Sequence, residues 1–332
     1  MFATSEGTTR YTDRFAPYRD AAFYRSVMGL EISSLGIGTH LGDVDDATDA
    51  AYIDALVAAG EGGVNLFDSA INYRQQRSER CIGAALQRLQ RDEIVVCTKA
   101  GFLMPGAVPA SLKPEQMVGG MHSMDPDFVA DQIERSLANL GVDTIDVFYL
   151  HFPETQLGFV SREEFDARLV RAFGRLEELM ERGKIRWYGA ATWDGFRQKG
   201  ALSLQRMMEL ATQAGGPSHR FRFIQLPFNV EMVEAFVEKP ESVLDAALRL
   251  GVAVVASAAL SQTRVLANMP ERLTGQLPGL ETAAQRAIQF TRSTPGIAAA
   301  LVGMSRREHV LENLGVARVA PVARGAYVRL YQ

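Results

Sequence analysis

The sequence predicts a single (β/α)8 barrel, and three observations predict it. Eight short apolar runs alternate with eight stretches of helical periodicity. The alternation fills a chain of 332 residues with no low-complexity linker to divide it. Charged and polar residues follow directly on the ends of the early runs, where parallel sheets and barrels build their sites. Eight strand–helix units in a chain of this size fit one closed barrel better than two smaller domains. A doubly wound sheet is the nearest alternative, but no GxGxxG turn follows an early strand. The Gly-rich stretches LGIGTHLG and EGGVN have the wrong spacing and context for one.

The elements follow in order. The candidate strands are LGIGTH (35–40), VNLFDS (64–69), IVVCTK (94–99), VFYLH (147–151), IRWYGAA (185–191), FIQLPFN (223–229), VAVVASA (252–258) and AALVGM (299–304). Each is too short for a helix and is bounded by Gly, Asp or Pro. Helical patterns fall near 47–60, 77–90, 126–140, 163–182, 200–214, 240–250, 281–291 and 305–315. Asp125-Pro126 is a helix start, Gly141 its stop, and Gly183 the stop of the next. The charges of SREEFDARLVRAFGRLEELMERGK read as a solvated outer face. The segments rich in Gly, Pro, Met and Ser near 100–125 and 259–280 read as loops at the carboxyl face.

Composition excludes several classes. With 47% hydrophobic and 22% charged residues the chain is ordinary globular material. A net charge of −4 gives no general attraction to nucleic acid or anionic membranes. Two cysteines, Cys81 and Cys97, are too few for a disulfide framework and are expected to be buried thiols. The first fifteen residues lack the apolar core of a signal peptide, and no run approaches a membrane span. The expectation is a cytoplasmic protein. Five histidines without H-x-H or H-E-x-x-H spacing argue against a metal site. The ends of the early strands offer no carboxylate pair for glycoside chemistry.

Asp68, Tyr73, Lys99 and His151 lie at or just beyond the second, third and fourth runs, so a parallel sheet brings them to one edge. A phenol with a pKa near 10 is a poor acid at pH 7. A lysine ammonium beside it favours the phenolate and lowers that pKa. An aspartate paired with the lysine keeps the ammonium in place and charged, and a histidine beside the phenol orients a carbonyl oxygen. The set suits protonation of an alkoxide forming from a carbonyl. None of the four is a hydride source, so a nicotinamide cofactor must supply the hydride.

These four residues, with their flanking text, resemble the catalytic tetrad of the aldo-keto reductases. NLFDSAINY followed by SERCIGAAL, IVVCTKAG and DVFYLHFPE look like that family's second, third and fourth strands. IRWYGAATWD, FIQLPFN, VVASAAL and LVGMSRREHVLENL are similar to its later strands and last helix, so the resemblance covers roughly residues 30–315. It implies reduction of an aldehyde or ketone, a small-molecule carbonyl, by NADP(H) lying across the carboxyl face. It also implies that Gln225 and Thr192 hold the nicotinamide carboxamide and Ser257 the pyrophosphate. Ser305, Arg306, His309, Glu312 and Asn313 would hold the adenosine and its 2′-phosphate. Ser305 with Glu308 reads as a capping box, and a helix start flanked by Arg306 and Arg307 is a phosphate site, which favours NADPH over NADH.

The chain departs from the family pattern mainly where substrate is recognised. The family often has Gly after its tyrosine; here the text is Tyr73-Arg74-Gln75-Gln76. Thr192-Trp193 stands where a Ser-Asn pair is usual, and Ser257-Ala258-Ala259 where Ser-Pro-Leu is usual. Phe102, Phe152 and Trp193 are expected to line an apolar substrate pocket. Arg74 is expected at its rim, favouring a carboxylate-bearing substrate. The alternative reading is a catalytically slow NADPH-binding regulatory subunit resembling the same family. Neither reading implies a nucleic-acid or membrane partner, and the oligomeric state stays open.

Overall fold

The computed structural model describes residues 1–198, 200–267 and 269–330. The chain starts with two helices, α1 (Ser5–Asp13) and α2 (Ala16–Asp20), and an antiparallel hairpin, β1 (Tyr24–Val27) and β2 (Leu30–Ser33). The periodicity of the sequence predicts none of these four. Eight strands follow: β3 (Leu35–Gly38), β4 (Leu66–Asp68), β5 (Val95–Ala100), β6 (Ile145–His151), β7 (Ile185–Ala191), β8 (Phe221–Pro227), β9 (Ala253–Ser257) and β10 (Ile297–Gly303). All neighbours are parallel, and β10 returns to pair with β3 from Ala300 opposite Leu35 to Gly303 opposite Gly38, closing the barrel. The eight expected strands are all present, with ends shifted by at most two residues.

Between the strands lie α3 (Asp46–Gly62), α4 (Arg77–Leu86), α5 (Pro126–Leu140), α6 (Arg162–Glu181) and α7 (Leu204–Gly215). Further along are α8 (Glu234–Val237), α9 (Val243–Leu250), α10 (Arg264–Ala267), α11 (Glu271–Gln276), α12 (Ala283–Ser293), α13 (Arg307–Asn313) and α14 (Arg324–Arg329). The start and stop signals work as the sequence suggests at α5. Asp125 accepts the N–H groups of Asp127 and Phe128, Pro126 takes the first helical position, and Gly141 ends the helix at φ 62°. The capping box at Ser305 does not form. Helix α13 begins at Arg307 with Arg306 as its cap residue, so Ser305 lies outside the first turn and Glu308 stands too early to bond back.

Side chains alternate between two apolar layers. On β6, Val147 and Tyr149 point into the barrel with Val95, Cys97, Trp187 and Phe223, while Phe148 and Leu150 face the helices. Burial on both faces is why IDVFYL reads as a nearly unbroken apolar run. Leu30 and Ile32 of the hairpin join the interior layer at the amino ends of the strands. The hairpin thereby seals that end, and the open end is the carboxyl one. Both cysteines are buried and free. Among the described residues no helix is long and apolar enough to cross a membrane.

Candidate active site

At the carboxyl ends of β4 and β5 the Lys99 ammonium donates to Asp68 Oδ1 at 2.6 Å and to the Ser69 carbonyl. Asp68 ends β4, Lys99 sits one residue from the end of β5, and His151 ends β6. Tyr73 follows β4 after a short turn, which sets its ring 4.9 Å from the Lys99 ammonium. The Tyr73 and His151 rings meet edge to face with centroids 5.8 Å apart. The four residues that the sequence singles out converge in one place.

Asp68 uses its second oxygen across the barrel. Gln225 Nε2 on β8 donates to Asp68 Oδ2 at 2.8 Å, and β4 and β8 lie on opposite sides of the eight-stranded ring. One N–H of the Gln225 carboxamide is therefore committed, which leaves its second N–H and its Oε1 to face a ligand.

Burial and charge set the protonation states. Burial opposes the charge on Lys99, but Asp68 and Tyr73 outweigh it and hold its pKa above the ordinary lysine value. Burial pushes the Tyr73 phenol up, and the downward pull of Lys99 does not cancel it, so the net direction is upward. The sequence reading anticipates the pull of Lys99 and not the larger effect of burial. His151 is driven well below the usual histidine range by burial and by Lys99. Its imidazole is neutral at neutral pH. Its Nδ1 is buried without a partner among the described residues, which leaves Nε2 to face the cavity.

The cavity at this end measures about 560 Å³. Tyr73, His151, Phe102, Phe152 and Trp193 line one part of it, and Gln225 and Ser257 line the other along with residues 258–264. Phe102 packs edge to face on both His151 and Phe152, and Trp193 lies 6.5 Å from Phe152. Thr192 is buried behind this wall and bonds the Gln225 carbonyl through its N–H at 2.8 Å. Ser305, Arg306, His309, Glu312 and Asn313 lie on or just before α13, outside the cavity lining. Arg306, His309 and Glu312 are exposed, Ser305 is half-buried, and Asn313 holds a buried Oδ1 without a partner among the described residues.

Arg74 is not at the rim. Its side chain is 1% exposed and paired with Asp49 at 2.6 Å, on the far side of the turn from Tyr73. The reason is the backbone: Arg74, Gln75 and Gln76 all have positive φ, which swings the guanidinium back onto α3. Such a conformation costs a non-glycine residue roughly 1–2 kcal/mol.

Three residues that sequence reasoning passes over also shape the site. His40, at the end of the first strand-like run, lines the cavity with its ring 4.6 Å from that of Tyr73. The rule that found Lys99 and His151, a polar residue closing an apolar run, applies to it equally. Glu154 Oε1 accepts the backbone N–H groups of Trp193, Asp194 and Gly195 at 2.7, 3.1 and 3.1 Å, seating the Trp193 turn. His122 is buried, bonds the His151 carbonyl at 2.8 Å through Nε2, and takes a bond from Gln156 Nε2 at Nδ1, also at 2.8 Å. Gln156 Oε1 in turn accepts from Arg168 at 2.7 Å, so the amide points its nitrogen at His122. That makes Nδ1 the acceptor and Nε2 the donor. Gly101 passes so close that a Cβ there would lie 2.4 Å from the His151 carbonyl oxygen and 2.7 Å from His122 Nε2. A histidine inside a Gly- and Met-rich loop carries no such sequence signal.

Residues 34–276 match the aldo/keto reductase family. The D-threo-aldose 1-dehydrogenase of a Pseudomonas species is 30% identical over 234 residues, 66% of this chain and 67% of that protein. The NADH-specific methylglyoxal reductase of Escherichia coli is 30% identical over 175 residues, and the match spans half the length of each. A crystal structure of an aldo/keto reductase from Klebsiella pneumoniae, in complex with NADP and acetate, superposes with a TM-score of 0.67. It covers 91% of both chains at 19% identity and so supports the fold alone.

Proposed function

The chain belongs to the aldo/keto reductase family, and from that premise we propose that it reduces an aldehyde or ketone to an alcohol with NADPH, Tyr73 being the proton donor. The observation that carries this reading is the buried Lys99–Asp68 pair beneath the Tyr73 ring, with His151 facing the same cavity.

The residues present fit a nicotinamide dinucleotide. Gln225 offers Oε1 to an amide N–H while Asp68 holds one of its own N–H groups. Ser257 and the turn at 258–264 extend the cavity away from the tetrad. Arg306 and His309 are exposed on the same short segment as Asn313, whose Oδ1 has no partner among the described residues, and an exposed arginine suits a phosphate-bearing adenosine. Two arginines at 306 and 307 favour the phosphorylated cofactor over NADH. When bound, the cofactor supplies the hydride.

The protein supplies the rest. Tyr73 hands its phenolic proton to the carbonyl oxygen as negative charge develops there. The Lys99 ammonium stabilises the phenolate left behind, and Asp68 keeps Lys99 charged and in place. His151, held neutral, orients the carbonyl oxygen by a hydrogen bond rather than acting as the acid. Phe102, Phe152 and Trp193 wall an apolar pocket, and with Arg74 turned away the reading favours an uncharged carbonyl compound. Titration with NADPH and NADH, followed by NADPH absorbance with a panel of neutral and carboxylated aldehydes, tests it. NADPH binding with turnover of neutral aldehydes is the expected result. Binding without any turnover would favour a regulatory subunit, and no binding would refute the reading.

A further inference from the structure

Directly after Tyr73 the backbone runs through three consecutive left-handed residues, with φ of 48° at Arg74, 53° at Gln75 and 69° at Gln76. None is glycine, and each places its Cβ against the following carbonyl, so the run needs support from outside itself. The Arg74 side chain meets that need. Its Nε donates to the Asp43 carbonyl at 2.8 Å and one Nη to Asp49 Oδ1 at 2.6 Å, while the guanidinium stacks 5.1 Å from the Tyr52 ring. The other oxygen of Asp49 pairs with Arg77, so one carboxylate on α3 pins both ends of the left-handed turn. Asp43 belongs to the loop between β3 and α3, which also carries His40 against the Tyr73 ring. Tyr52 ties the same loop by donating to the Leu41 carbonyl at 2.7 Å.

We infer that Arg74 is a positioning residue for proton transfer. Through Asp49 and the β3–α3 loop it fixes the Tyr73 phenol over Lys99 and keeps His40 seated beside it. The inference rests on Tyr73 being the proton donor. A planar fork with donors fixed in several directions suits this junction better than the single mobile ammonium of a lysine.

The test uses the full chain with Arg74→Met, Arg74→Lys, Arg74→Gly and Asp49→Asn, measuring NADPH affinity, kcat and the solvent deuterium isotope effect on kcat with one aldehyde that the wild type reduces. A misplaced reacting group can cost up to about 100-fold, so kcat is expected to fall by about tenfold or more in all four, with little change in NADPH affinity. The solvent isotope effect is expected to rise, because proton transfer from a loosened phenol becomes limiting. Asp49→Asn combined with Arg74→Met should be no slower than the slower single variant. Loss of folded protein alone would lower kcat and leave the isotope effect at the wild-type value, and that result overturns the inference. Arg74→Gly relieves the backbone without restoring the fork, so wild-type kcat in that variant overturns it as well. A wild type that binds NADPH and reduces no aldehyde overturns the functional reading, and this inference with it.

Discussion

His122 donates from Nε2 to the main-chain carbonyl of His151 across 2.8 Å, and Gln156 holds its other ring nitrogen. A buried, neutral histidine thus fixes the backbone from which a second one reaches the cavity. Burial lowers the His122 pKa to about 4.

Acid sensitivity follows from that depressed value. An unfolded histidine takes up a proton near pH 6.5, whereas folded His122 resists until about pH 4, so between these limits the unfolded chain binds more protons. Stability contributed by His122 is complete above pH 6.5 and is lost as pH falls through the window, by up to about 3 kcal/mol. His151 adds in the same direction. Urea midpoints at pH 8, 6 and 5 should fall, and His122→Gln should flatten the fall while leaving pH 8 stability closer to wild type. An identical slope in the variant would rule out this origin.

Tyr73→Phe removes the proposed proton donor and leaves the cavity wall intact. Proton transfer by a positioned side chain contributes typically about 10²–10⁴-fold, and kcat for carbonyl reduction should fall by that order. NADPH affinity, measured by fluorescence titration, should be close to wild type. Full activity in this variant refutes the assignment of Tyr73.

Lys99→Met strands Asp68 in a buried site with Gln225 as its remaining partner. Breaking a buried pair from one side costs about 3–5 kcal/mol, which chemical denaturation should register along with loss of activity. Adding Asp68→Asn should return part of the stability and none of the activity. Equal stability of wild type and Lys99→Met would show that the pair is not desolvated as the structure has it.

Glu154→Ala frees three backbone N–H groups that now converge on one oxygen. Hydrogen bonds to a charged group are worth about 1.5–3 kcal/mol each, so the Trp193 turn should loosen and KM for an aromatic aldehyde should rise several-fold. Trp193→Ala should lower turnover with cofactor affinity retained. In Trp193→Ala the further effect of Glu154→Ala on KM should largely vanish, and strict additivity in this double-mutant cycle argues against Glu154 acting through Trp193.

Much of the barrel is legible in the sequence because its strands are buried on both faces and its helices on one, so the two periodicities stand apart. The amino-terminal hairpin escapes because Tyr24–Val27 and Leu30–Ser33 are four-residue strands with little alternation. The convergence of Asp68, Tyr73, Lys99 and His151 is legible because each closes an apolar run or follows one by a few residues. Arg74 is misread for the converse reason. Next to Tyr73 in sequence it belongs at the rim, and only the run of positive φ, which no residue type there announces, turns it toward α3. The capping box fails at Ser305 by register: β10 runs to Gly303 and the helix takes Arg306 rather than Ser305 as its cap residue.

The bond between Gln225 and Asp68 joins residues 157 positions apart on opposite sides of the ring. Contacts so distant along the chain form late, after the loop entropy between them has been overcome. Recovery of catalysis after dilution from denaturant should therefore trail recovery of the helical circular-dichroism signal, and the lag between them would time the joining of β8 to β4 across the barrel.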